Sequence, residues 1–153
     1  MKQSYYKKFK HSCPSIFNSL RLRLHTYRDK LLTFKKALLK ESVTYCKDAD
    51  SAGMTELAFH LEIKTFHNEQ VILQQGEDLP GIILVGRGKI DVTLPASDLK
   101  EYLVERVGPG SSIGQYTILR EKKVSQFKLI GQSKHIVIFI LTFKHLVKSA
   151  RFN

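Results

Sequence analysis

At 153 residues, with 42% hydrophobic and 25% charged residues, the chain has the size and composition of one globular domain plus an appendage. Its longest apolar run is the six residues Ile136, Val137, Ile138, Phe139, Ile140 and Leu141, far short of the ~18–20 that a bilayer-spanning helix needs. The net charge of +11 is lopsided: residues 1–47 hold 12 Lys/Arg against two Asp/Glu, whereas residues 48–153 hold 13 against 12. A basic arm on a nearly neutral domain attracts an acidic partner, whether a membrane surface, a nucleic acid or a protein face.

Residues 1–14 form the basic arm, in which Tyr5, Tyr6 and Phe9 interleave with Lys7, Lys8 and Lys10. Such interleaving can stack on single-stranded nucleic acid, but a basic tail that packs on a protein explains it as well. Residues 15–61 are a helical lead-in. Pro14 and Ser15 supply a helix start, and Ile16, Leu20, Leu24, Tyr27, Leu31, Phe34 and Leu38 recur every three or four positions. That spacing predicts one amphipathic helix over 15–40, with its stripe covered by the domain or by another chain. Arg21, Arg23, Arg28, Lys30, Lys35 and Lys36 make a basic face for an acidic surface. A second helix is expected at 52–61.

From residue 62 the period shortens. Strands are expected at 62–66, 69–75, 81–86, 88–94, 101–107, 112–117, 126–132 and 135–142, with Ile83, Val85, Ile90, Val92, Ile113, Leu129, Val137 and Phe139 inside. Glycines and prolines punctuate them. The fold class is therefore mainly β with flanking helices: an eight-stranded jelly-roll-like β-roll over 62–153, preceded by a long basic amphipathic helix and closed by a short helix at 142–151.

Cys13 and Cys46 have neither CxxC nor Cys/His metal spacing, and so are expected as free thiols in a reducing, intracellular compartment. The N-terminus lacks the apolar segment of a secretory signal. Its basic, Ser/Thr-rich, acid-poor composition also suits a mitochondrial presequence. His11, His25, His60, His67, His135 and His145 include no HxxxH pair, and no GxSxG, Walker A or HExxH motif occurs. Neither a catalytic residue nor a metal site is expected.

The segments Gly76-Glu77-Asp78, Ile82 to Val85, Gly88, Ile90, Val92, Gly110, Ile113, Gly114 and Gln115 resemble in order the glycine-punctuated core of the cyclic-nucleotide-binding domain family, over roughly residues 60–147. The resemblance implies a β-roll with a phosphate-binding cassette, here Ile113, Gly114, Gln115, Tyr116 and Thr117. In that family a cassette Glu accepts the ribose 2′-hydroxyl, and an Arg about nine or ten residues later neutralises the cyclic phosphate. Here Gln115 stands at the Glu position, and Ser125 falls in a window without Arg. Arg120 lies only five residues after Gln115, and Lys122 and Lys123 offer point charges without a guanidinium fork. A lost charge-assisted bond of ~1.5–3 kcal/mol weakens a ligand tenfold to several hundredfold, so the resemblance implies a degenerate pocket. The family's long C-terminal helix is reduced to residues 143–153. Either the chain is a fragment, or the domain is not a ligand-driven switch.

Ser19-Leu20-Arg21-Leu22-Arg23-Leu24 and Tyr27 are further similar to the helix that follows the pore in cyclic-nucleotide-regulated and ciliate-type potassium channels. The resemblances together point to a non-catalytic regulatory or scaffold subunit without a cofactor. It would sit in a larger assembly of protein chains, cytoplasmic or ciliary, or reach a membrane only through a partner. Two alternatives stand beside it: a working cAMP- or cGMP-sensing domain of a channel or kinase, and nucleic-acid binding through the basic arm.

Overall fold

Two apolar segments, Ile82 to Val85 and Ile136 to Leu141, place an almost unbroken series of branched side chains side by side. β3 (Gly81–Arg87) and β8 (Ile136–Thr142) pair antiparallel, with Ile83 opposite Ile140, Leu84 opposite Phe139 and Val85 opposite Ile138. Ile82, Ile83, Leu84, Val85, Ile138, Phe139, Ile140 and Leu141 are all buried. Neighbouring residues on a strand face opposite ways, so this ladder is covered on both faces, and continuous rather than alternating hydrophobicity is its signature. Gly86 sits where the pairing slips by one residue. A Cβ there would lie 2.5 Å from the Phe139 ring, so the bulge needs glycine to let that ring close over the backbone.

The structure, a computed structural model, describes residues 14–96, 100–120 and 123–149. The chain runs α1 (Pro14–Ser42), a 3₁₀ turn (Thr44–Cys46), α2 (Ser51–Phe59), β1 (Glu62–Phe66), β2 (Val71–Leu73), β3, β4 (Ile90–Pro95), β5 (Glu101–Val107), β6 (Ser112–Ile113), a second 3₁₀ turn (Gln115–Leu119), β7 (Lys128–Gly131), β8 and α3 (Phe143–Ser149). The strands form two antiparallel four-stranded sheets, ordered β1-β8-β3-β6 and β2-β7-β4-β5, which make the expected roll. The chain divides into two units that part between Phe34 and Lys35, within α1.

Local chemistry explains where the elements end. β2 is shorter than the expected 69–75, because Glu69 takes a left-handed φ of 63° and the Gln70 amide turns back to the His67 carbonyl. β6 stops at Ile113, where 112–117 was expected, because Gly114 adopts φ 90° and the chain coils into the 3₁₀ turn. β7 starts at Lys128 rather than 126, since the Ser125 hydroxyl donates to the Phe127 carbonyl at 2.6 Å and holds a turn there. Asp50 caps α2 by accepting from the Gly53 amide at 2.8 Å, a bond of about 1 kcal/mol.

Of the expected core, Ile83, Val85, Ile90, Val92, Leu129 and Phe139 are buried, while Ile113 and Val137 are half-buried. Leu38, Leu39, Val43, Met54, Leu57 and Leu61 extend the core into the helical segments. β5 is a sheet edge, exposed from Glu101 to Arg106. Its pairing with β4 slips between Glu105 and Leu103, which leaves Val104 as the bulged residue. Directly across the ladder, Arg106 holds the buried Asp91 carboxylate with two bonds of 2.6 and 2.9 Å, and this pairing raises the guanidinium's already high pKa.

The Leu129 side chain is fully enclosed. Leu129→Ala is expected to lower unfolding free energy by about 2–5 kcal/mol, against less than about 0.5 kcal/mol for the exposed Leu103→Ala, both measured by chemical denaturation. Burial also raises the Cys46 thiol pKa and depletes its thiolate. In a Cys13→Ser background, mass spectrometry should find Cys46 alkylated only when the protein is unfolded.

Candidate functional site

The cassette is built where the segment after β6 meets two other chain segments. Its first support is backbone pairing across a gap of some fifty residues. The Gly76 amide donates to the Ser125 carbonyl at 2.8 Å, Ser125 to Glu77 at 2.8 Å, and Leu79 to Lys123 at 2.7 Å; Asp78 and Val124 form a bridge between them. Its second support is β3: the Gly110 amide donates to the Val85 carbonyl, and the Val85 amide to Ser111. Between these walls Gly114 bends the chain with its left-handed φ, where a side chain would collide with Leu79. The 3₁₀ turn follows, closed by Thr117 N–H to Gly114 and Arg120 N–H to Thr117.

These walls enclose a cavity of about 200 Å³, below the ~300–1,000 Å³ usual for small-molecule sites. Ile113, Gly114, Tyr116, Thr117 and Ser125 line it, so the fold gathers five of the residues picked out from sequence. Arg120, noted in the sequence but not counted among the candidates, also lines it, and is exposed. Lys122 lies outside the described residues. The Lys123 ammonium sits 4.7 Å from the centre of the Phe143 ring, a cation–π contact.

Gln115 has a different task. Its amide nitrogen donates to the Ser42 carbonyl at 2.8 Å and to the Ser112 hydroxyl, while its amide oxygen accepts from the Thr44 N–H at 3.0 Å. Ser42 ends α1 and Thr44 opens the next turn. The side chain thus satisfies a carbonyl that the helix leaves without an intrahelical partner, together with a neighbouring amide. Donor and acceptor are both needed, which suits an amide and not a carboxylate. Nothing in the local sequence signals the contact with the helix end, since Ser42 and Thr44 lie more than seventy positions away.

At Ser125, in the middle of the 124–126 window where the resemblance places the phosphate-binding Arg, the side chain is small and buried, and its hydroxyl is bonded to Phe127.

On the helical lead-in, Arg21, Arg23, Arg28 and Lys30 are exposed, but Lys35 and Lys36 are half-buried. The Lys35 ammonium donates to the Leu61 carbonyl at 2.9 Å just beyond α2, where the helix dipole favours a cation. Desolvation lowers its pKa. Along the apolar stripe Leu38 is buried and Leu31 half-buried, whereas Leu20, Leu24, Tyr27 and Phe34 are exposed. Ile16 falls among residues whose side chains are not described, and residues 1–13 of the basic arm lie outside the described residues. The His60 and His145 rings stack at 3.9 Å between the ends of α2 and α3. Among the described residues no three His, Cys, Asp or Glu cluster as a metal site would require.

No protein-family model matches the chain, and no curated protein matches it. Solved structures do. The sensor domain of the transcriptional regulator DNR from Pseudomonas aeruginosa superposes with a TM-score of 0.72 at 10% identity, covering 81% of each chain. The regulatory domain of Toxoplasma gondii PKA, crystallised with cAMP, gives 0.67 at 15% identity over 76% of this chain and 43% of that one. The regulatory subunit of a cAMP-independent protein kinase A from Trypanosoma brucei, as a triple mutant bound to cAMP in its A site, gives 0.64 at 20% identity over 82% and 47%. The chain thus spans under half the length of either kinase protein. In its two sheets and flanking helices, the chain has the fold of the cyclic-nucleotide-binding domains.

Proposed function

We propose that this chain is a non-catalytic regulatory or scaffold module of a larger assembly, and that its cassette fastens the end of α1 to the roll instead of sensing a nucleotide. The observation that carries this reading is the engagement of Gln115 with Ser42 and Thr44. A ribose hydroxyl would have to displace contacts that hold the helix end. The second support is Ser125, whose small bonded side chain leaves a phosphate without a guanidinium at that wall. The third is the trypanosome protein: a cAMP-independent kinase subunit shares the fold, and its cAMP-bound form carries three substitutions, one of them Thr to Arg. Partners would be other protein chains of the assembly. Arg21, Arg23, Arg28 and Lys30 would face an acidic surface.

Calorimetry with cAMP and cGMP should give dissociation constants no tighter than high micromolar. A value below about 1 μM would overturn the reading and turn attention to Arg120 at the cavity rim, whose change to Ala should then abolish the binding. Ser125→Arg is expected to improve cAMP affinity tenfold or more by supplying the missing charge-assisted bond. Gln115→Glu restores a ribose acceptor but removes the donor to Ser42 and sets a carboxylate against that carbonyl. It should lower unfolding free energy by about 1–3 kcal/mol, read as a reduced denaturation midpoint. An unchanged midpoint would mean that the Gln115 bonds do not hold the helix end.

A further inference from the structure

The sequence pointed to a membrane reached only through a partner, but the first unit of the chain carries the features of a helix that meets lipid itself. Along α1, Leu20, Leu24 and Tyr27 are 45%, 62% and 64% exposed. At about 100° per residue these three and Leu31 share an arc of about 60°. Arg21 and Arg28 fall on one side of that arc, and Arg23 and Lys30 on the other. Asp29, the single acid between residues 14 and 40, falls on the opposite face. Cations beside the apolar stripe, with the acid turned away, match the section of a helix lying in a membrane interface. There the leucines enter the acyl boundary and long basic side chains reach up to anionic headgroups. Tyrosine suits that boundary, having an apolar ring and a polar tip.

No helix among the described residues is long and apolar enough to cross a membrane, so this one would lie in the plane. A discrete acidic groove would serve cations at one or two rims. Positive charge on both flanks, continued in sequence by Lys2, Lys7, Lys8 and Lys10, complements a continuous negative surface better. We infer that α1, through Leu20, Leu24 and Tyr27 flanked by Arg21, Arg23, Arg28 and Lys30, docks the chain on an anionic lipid surface. The inference rests on the reading that this helix faces an acidic surface, and it names that surface.

The full chain should co-sediment with phosphatidylcholine vesicles that contain phosphatidylserine, but not with phosphatidylcholine alone, and molar salt should release it. Leu24→Asp should weaken the partition at least tenfold, as should Arg21→Glu with Arg28→Glu. The side chains changed are exposed, so circular dichroism should remain that of the parent. The chain has no tryptophan, so Tyr27→Trp gives a single reporter whose emission should shift to the blue on phosphatidylserine vesicles only. Failure to bind those vesicles, or binding that Leu24→Asp leaves unchanged, would overturn the inference. Beads coated with poly-glutamate separate the two readings. Capture that depends on Arg21 and Arg28, without vesicle binding, would keep the acidic partner and reject lipid; loss of both would reject the docking helix itself.

Discussion

The pairing of β3 with β8 is the constraint on which the rest of the molecule depends. Two strands buried on both faces cannot stand alone in water, because one sheet face would remain uncovered. The second sheet and the apolar residues of the helical segments supply the burial that this ladder demands. The cassette follows from the same ladder. It hangs from the Val85 backbone through Gly110 and Ser111, and its far wall is the short pairing between residues 76–79 and 123–125.

Helix α1 ends against this framework through two polar contacts of different kinds. Lys35 donates a charged hydrogen bond to a carbonyl beyond α2, and Gln115 offers a neutral amide to the last residue of α1 and to the turn after it. Neither contact uses hydrophobic area; Gln115 satisfies main-chain groups that helix termini leave open, and Lys35 satisfies a carbonyl two residues past the end of α2. Gln115 is thereby committed to fixing the geometry of the helix end. An amide serves because it can donate and accept at once.

How much of this was legible in the sequence depended on the range of each interaction. The paired apolar runs, the glycine punctuation and the order of the strands are local signals, and they placed β1, β3, β5 and β8 within a residue or two. β2 and β6 came out shorter because Glu69 and Gly114 leave the extended region, which alternation does not report. The stripe from Ile16 to Leu38 announced a helix correctly, but periodicity says only that one side is apolar; it says nothing of what covers it, and Leu20, Leu24 and Tyr27 are exposed. The ordered glycines and Gln115 marked the segment that coils at Gly114. That the Gln115 amide reaches Ser42, seventy-three positions away, is a property of the folded backbone, and no pattern within one stretch of chain encodes it.

The open edge at β5 carries features that oppose edge-to-edge pairing with another strand. Seven residues long and exposed through Arg106, with Tyr102, Leu103 and Val104 in sequence, this strand has the hydrophobicity that lets sheets join edge to edge into fibres. The bulge at Val104 interrupts the repeat that an incoming strand would have to match. Glu101, Glu105 and Arg106 put charge at both ends of the apolar triplet. Arg106 is tied to Asp91 and Glu101 to Lys128, so these charges are anchored to β4 and β7. The contacts that join the sheet internally thus also act as its gatekeepers, and losing one of them would be felt first as association of the folded protein with itself.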